Sequence, residues 1–225
     1  MKQTNRYLPI LFSFMVLAAG SVFDPPRVFA QQGGDVEMSG ISGDPDAPRR
    51  HFRLKDPENV SPKEAQNVYE VALQALGPGY ARSGNPTARD YRNWRRYNNA
   101  PYLSSRHGNH YLNNYANETA RAYGEFEKAG KLPVGSVIAK DSFSITETGG
   151  IFLGSLFLME KMPQGFNYVS GDWKYSVIKP DGRLFGETNG KGSGRVEYCI
   201  TCHLTVEQQD HLYFVPREYR VDAVD

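Results

Sequence analysis

Cys199-Ile200-Thr201-Cys202-His203 stands near the end of the 225-residue chain, and its reading decides how the rest is read. Two thiols three positions apart fall on one side of a helical turn, where both can reach one edge of a porphyrin. The imidazole that follows then comes under the metal as an axial ligand. Two rival readings of C-x-x-C exist: a redox dithiol on a thioredoxin-like unit, and half of a zinc site. A zinc site wants two more thiolates or a tight histidine pair, and the chain has only these two cysteines. A redox dithiol has no use for His203. The motif is therefore read as one covalent haem c on a C-terminal helical segment, with Cys199 and Cys202 as thioether anchors and His203 as the metal ligand.

The other end of the chain agrees with that reading. Lys2 and Arg6 make a basic start, Tyr7 to Phe23 an apolar run, and Val28-Phe29-Ala30 a small-residue exit. Residues 1–30 are expected to be a secretory signal peptide, with an uncleaved anchor as the alternative because the run is long for a secretory core. No cysteine follows it to carry a lipid. The expected location is the periplasm, since bacterial c-type haem is attached outside the cytoplasm. Without residues 1–30 the chain carries 23 basic and 24 acidic side chains. That balance gives neither nucleic acid nor an anionic membrane a reason to bind. The remaining 195 residues suit one core. Fourteen tyrosines and 12 phenylalanines are enough to line a large flat cofactor.

Residues 31–93 read as a leader with one helix. Ser61-Pro62-Lys63-Glu64 is a capping box with proline at the first helical position. Ala65, Val68, Ala72, Ala75 and Leu76 follow at helical spacing, and Gly77-Pro78-Gly79 is expected to stop a surface helix spanning about 61–76. Arg92, Arg95 and Arg96 belong to a polar stretch, read as solvated rather than as partners of a haem propionate. The haem domain is placed at 94–225. Residues 108–114 read as a strand with His107 and His110 at its entrance. Asn117 caps a helix through Lys128, with Ala120, Tyr123 and Phe126 inward. Strands follow at 134–144, 151–159 and 173–178, the second buried on both faces. Pro180-Asp181-Gly182 is a turn, residues 187–194 a glycine-rich loop, and Asp210 to Phe214 the end of a short helix. The fold class expected is α+β, predominantly antiparallel β-sheet with peripheral helices.

Three further pieces fall in order around the haem motif. They are Gly135-Ser136-Val137-Ile138-Ala139-Lys140-Asp141, Gly171-Asp172-Trp173-Lys174-Tyr175, and the tail Asp210-His211-Leu212-Tyr213-Phe214. Together they resemble the cytochrome P-460 family and its relative cytochrome c′-β, over roughly Trp94 to Arg217. The resemblance implies an antiparallel β-fold that forms homodimers and holds one c-type haem on His203. In the P-460 enzymes a strand lysine bonds the porphyrin edge, and Lys140 occupies that position. The alternative for Lys140 is an exposed strand lysine. Those enzymes oxidise hydroxylamine with a distal glutamate, and the c′-β relatives instead cap the distal face with phenylalanine and admit diatomic gases.

An open distal face needs a base for hydroxylamine, which gives up protons with its electrons. Glu187 and Glu197 lie where such a base is sought, each with a solvated loop role as the alternative. Met159, Met162, His107, His110 and His211 are the side chains that could close the face. Met159 is read as core, His211 as pointing away, and His107 and His110 as strand-end residues, with His110 a candidate to line the distal pocket. The expected function is oxidation of hydroxylamine or a related small nitrogen compound, with electrons passed to a soluble acceptor. The alternatives are a gas-binding protein for nitric oxide and a simple electron-transfer cytochrome.

Overall fold

The computed structural model describes residues 28–29 and 46–221. Apart from the pair 28–29, the expected signal peptide lies outside the described residues. A nine-stranded sheet organises the chain. Its strands are β1 (Val28–Phe29), β2 (Arg95–Arg96), β3 (Tyr102–Ser104), β4 (His110–Ala116), β5 (Val137–Ile145), β6 (Ile151–Leu153), β7 (Leu156–Lys161), β8 (Trp173–Ile178) and β9 (Leu184–Glu187). Every pairing is antiparallel except β1 on β6. The α+β expectation holds.

Alternation along the strands sends side chains to two opposite layers. On β5, Ala139, Phe143 and Ile145 join one apolar cluster with Tyr111 and Tyr115 of β4 and Leu156 and Leu158 of β7. Ile138 of β5, Met159 of β7, and Trp173, Tyr175 and Val177 of β8 join the other. Helix α1 (Pro62–Ala81) covers the first layer through Ala65, Tyr69, Ala72, Leu76 and Tyr80. The second layer is covered by helix α3 (Glu197–Leu204) and the tail behind it; a short helix α2 (Pro86–Asp90) follows α1. Each face of the central strands is thus roofed.

Helix α1 starts as its sequence dictates, with Ser61 Oγ accepting from the Glu64 amide. It does not stop at Gly77. It runs through Pro78 to Ala81, although proline inside a helix costs about 3 kcal/mol. One further turn buries Tyr80 completely and lets its hydroxyl donate to the Gly154 carbonyl at 2.8 Å. Burial of such a ring, roughly 2 kcal/mol, and its hydrogen bond, about 1 kcal/mol, offset the proline. Gly79 is required there, because any Cβ would collide with the Pro180 carbonyl oxygen.

The expected single strand over 151–159 is two. From Phe143 to Lys140 is three residues on β5, but their partners Leu153 and Phe157 are four apart, so the chain bulges at Gly154-Ser155. Gly154 lies so close to Ser142 that a side chain there would overlap it, and Ser142 Oγ donates to the Ser155 carbonyl at 2.7 Å. Residues Glu118–Lys128 form 3₁₀ turns instead of an α-helix, with the backbone non-helical at Ala120 and Phe126. The edge of the Tyr97 ring presses on Gly124, and the Phe126 and Phe214 rings meet edge to face at 6.4 Å, contacts that fix the segment in place of a regular ladder.

His110 is buried on β4, stacked on Phe152 and bonded to Ser144 Oγ through Nδ1 at 2.6 Å. Burial lowers its pKa from 6.5 to about 4. Between those values the unfolded chain binds a proton that the native chain refuses, so stability falls as pH drops through that window. His110 should therefore contribute about 2 kcal/mol to the loss of stability between roughly pH 7 and pH 5. Urea unfolding of wild type and His110→Gln at both pH values checks this; an equal acid loss in the variant contradicts it.

Candidate functional site

Helix α3 places Cys199, Cys202 and His203 at positions i, i+3 and i+4, one face of a helix. Val196, at the N-cap, and Tyr198 are buried beside that face in one apolar cluster with Cys199, and Glu197 sits in the first turn, where the helix dipole favours an anion. Cys199 is buried and Cys202 exposed, and both line a cavity with His203, between α3 and the sheet. Burial pushes the Cys199 thiol up to about 12.

His203 is oriented by the tail. Its Nδ1 lies 2.6 Å from the His211 carbonyl oxygen, which can only accept, so Nδ1 carries the proton and Nε2 keeps its lone pair. Burial, and then Lys140, lower its pKa to about 3, so the ring is neutral. The rings of Tyr175 and Tyr213 flank it at 5.1 and 5.0 Å. This is how a histidine is prepared to ligate a metal through Nε2.

The carbonyl that does this work is held by an irregular chain, and the expected helix over Asp210 to Phe214 does not form. Asp210 and His211 adopt positive φ instead, 56° and 61°. Asp210 is 5 % exposed; its carboxylate accepts from the Leu132 amide at 2.9 Å and pairs with Lys161 at 2.6 Å. Its carbonyl accepts from Trp173 Nε1 at 2.8 Å. Three strongly bonded groups converge on one residue, and they outweigh the cost of a left-handed backbone, about 1 kcal/mol for aspartate.

The opposite wall is the sheet. Ile138 and Lys140 on β5 face Met159 and Phe157 on β7, with Tyr175 and Val177 next on β8. Lys140 is 4 % exposed, not an exposed strand lysine. Its Nζ reaches towards the Tyr213 carbonyl at 3.5 Å, and burial lowers its pKa to about 8. Tyr175 points a buried hydroxyl with no partner among the described residues into this space. A hydroxyl left so costs about 1–3 kcal/mol, which marks the cavity as built for an absent polar or polarisable group. A flat apolar wall, two thiols and a ligating imidazole on one edge, and Arg106 at the rim fit a haem.

Of the other candidates, Met159 and His107 line the cavity. Glu187 and Glu197 do not: Glu187 lies over Gly190, and Glu197 is exposed on α3. Alternation explains Glu187, which pairs with Ser176 off the row of Tyr175 and Val177, and Glu197 is turned to solvent on its helix. No aspartate or glutamate is among the cavity's described lining residues. His110 faces Ser144 and Phe152, and His211 packs against Gly171, so neither reaches it. Arg96 is spent on Gln66 and the Asn99 carbonyl, and Arg92 packs on Gly77. Arg95 lines a separate cleft beside Tyr97, on whose ring it stacks. The arginine at the cavity is Arg106, 4.9 Å above the Tyr213 ring.

His51 also lines the cavity, 4.9 Å from the His107 ring and 4.8 Å from Phe157. Sequence reasoning did not find it. It sits in an aperiodic stretch of arginine, proline and glycine, and its partner Tyr198 is 147 residues away. Arg106 and Tyr213 were equally silent, though Tyr213 lay inside a quoted motif.

A family sequence model described as Cytochrome P460 matches residues 88–214, more than half the chain. No curated protein matches.

Proposed function

The chain belongs to the cytochrome P460 family, and from that premise we propose that it is an exported haem c protein that oxidises hydroxylamine or a related small nitrogen compound. The observation that carries this reading is Lys140, buried in the same cavity as Cys199, Cys202 and His203. A buried lysine with no carboxylate beside it needs a reason, because its charge is costly away from water. A bond from Nζ to a macrocycle edge is such a reason.

A haem held here supplies an iron that takes up a small nitrogen ligand and passes its electrons on. Cys199 and Cys202 anchor it through thioethers, and His203 Nε2 ligates it. Burial lowers the Lys140 pKa to about 8, so part of it is the free amine at neutral pH. Its bond to a macrocycle carbon would replace a C–H and an N–H, releasing two protons and passing two electrons to an oxidant such as a peroxide. Arg106 is placed to hold a propionate, and Phe157 restricts the distal space to small ligands. Export to the periplasm, a soluble electron acceptor and homodimer formation belong to the same reading.

Two measurements test it. Digests of the purified protein should yield haem mass on a Lys140 peptide, and the reduced protein should show an absorption band shifted far to the red. Lys140→Leu should lose that band and keep its haem; an unchanged band removes Lys140 from the account. A second reading, nitric oxide binding without turnover, draws support from Phe157 and from a lining without carboxylates. It predicts an ordinary c-type spectrum and no consumption of hydroxylamine.

A further inference from the structure

We propose that His51, on the segment before the family region, accepts the proton that a small ligand loses as it binds in the cavity. The inference rests on the haem reading above and replaces the glutamate sought in sequence.

The cavity has two ends. His203 is packed between Tyr175 and Tyr213, whereas His51 is packed among Tyr198, His107 and Phe157, and the two sets share no ring. A ligand entering opposite His203 meets the second set. Few of the lining side chains there can take a proton at neutral pH. Arg106 is always charged, and Lys140 is committed to the macrocycle edge in the reading above. Two imidazoles remain, His51 and His107.

His51 is the better placed of the two. Its Nδ1 lies 3.1 Å from the Tyr198 hydroxyl, on the helix of the haem motif. In the tautomer whose Nδ1–H donates to that hydroxyl, the His51 Nε2 lone pair is free. His107 Nδ1 instead meets Ser104 Oγ, a partner on its own 3₁₀ turn. Burial above all keeps the His51 ring neutral and its lone pair unprotonated, its pKa lowered to about 3.

The segment that carries His51 is tied down on both sides. Asp46 pairs with Arg195, just before α3, and the Leu54 amide donates to the Gly108 carbonyl at 3.0 Å. Arg53 donates to the Ser105 carbonyl at 3.1 Å. Residues 46–54 therefore form a strap from the haem motif to the turn of His107, with His51 between its fixings. In the step itself, an N–H, O–H or C–H bond of the ligand breaks, its electron pair stays on the ligand, and the proton passes to His51 Nε2. No oxidant is needed for that transfer.

Hydrogen cyanide and nitric oxide separate proton transfer from access, because the first must lose a proton on binding and the second has none. Association of each with the ferric holoprotein is measured by stopped flow in wild type, His51→Gln, His107→Gln and Tyr198→Phe. His51→Gln is expected to slow cyanide about 100-fold and leave nitric oxide unchanged. Tyr198→Phe should slow cyanide by a smaller factor, since the acceptor stays but loses its orientation. Unchanged cyanide association in His51→Gln overturns the proposal, as does an equal slowing of both ligands, which marks a structural role. Loss in His107→Gln alone assigns the step to His107 and also overturns it. A wild-type protein that binds neither ligand has a closed face, and then the parent reading fails with it.

Discussion

A chain with Cys199→Ser, Cys202→Ser and Lys140→Leu together, which lacks every proposed covalent link, is expected to yield all its haem to acid–acetone, whereas the wild type keeps every molecule through denaturation. The reason is the number and placement of nucleophiles. Cys199 and Cys202 are the chain's only thiols, and they stand on the α3 face that lines the cavity. Thioether bonds survive acid, while an axial bond from His203 does not, because acid protonates Nε2. The single variants separate the two anchors. Cys202 is exposed and Cys199 buried, so Cys199→Ser also places a hydroxyl among Tyr198 and the Ile138 side of the sheet. It should lower stability more than Cys202→Ser, by about 1–2 kcal/mol. Haem retained after acid–acetone in the triple variant would end the covalent account, and haem retained in the Cys199→Ser, Cys202→Ser chain alone would mark the Lys140 bond.

The second large effect concerns Asp210, which never touches the proposed cofactor. Asp210→Asn keeps the shape and tolerates positive φ, yet removes the only anion bonded to Lys161 among the described residues. The Lys161 ammonium would be left with the Gly171 carbonyl at 2.9 Å and the face of Trp173 at 4.9 Å. An unpaired buried charge costs about 3–5 kcal/mol. For a chain of this size that is a fall in melting temperature of roughly 10 °C. The double variant Asp210→Asn, Lys161→Met should recover a large part, because the stranded charge is gone. Beyond stability, Asp210 sets where the His211 carbonyl sits, and that carbonyl fixes the His203 tautomer. Loosening it should broaden the ligand-field spectrum of the ferric protein. Calorimetry of the three chains checks the energies, and no change in melting temperature for Asp210→Asn contradicts the argument.

How much of this was legible in the sequence depends on where the deciding contact lies. Strand β8 was read to the residue, because Trp-Lys-Tyr-Ser-Val-Ile alternates and both flanks break it. The start of α1 was legible for the same reason: Ser61, Pro62 and Glu64 settle it among themselves. Its end was not, since the forces that carry the helix past Pro78 come from Gly154 and Pro180, each about 75–100 residues on. The bulge at Gly154-Ser155 answers to Ser142 on the neighbouring strand, and a run of apolar residues carries no mark of it. At the site, the motif located Cys199, Cys202 and His203 because their chemistry is local. Lys140 was legible only through family resemblance, and its burial only through the sheet. Glu187 and Glu197 do not line the cavity, for a geometric reason: Glu187 ends β9 off the row that faces it, and Glu197 is exposed on α3. His51 needed a strap of chain to fold across from residue 46, which no local pattern encodes.

The claim on which the account depends is a haem ligated by His203 with its other face free for small ligands. The ferric spectrum of the purified full chain, taken before and after nitric oxide is added, tests it most directly. The account predicts a high-spin spectrum that nitric oxide converts fully. A low-spin spectrum that nitric oxide leaves unchanged would mean that the second face is already closed by a side chain, and the chemistry proposed here would not occur.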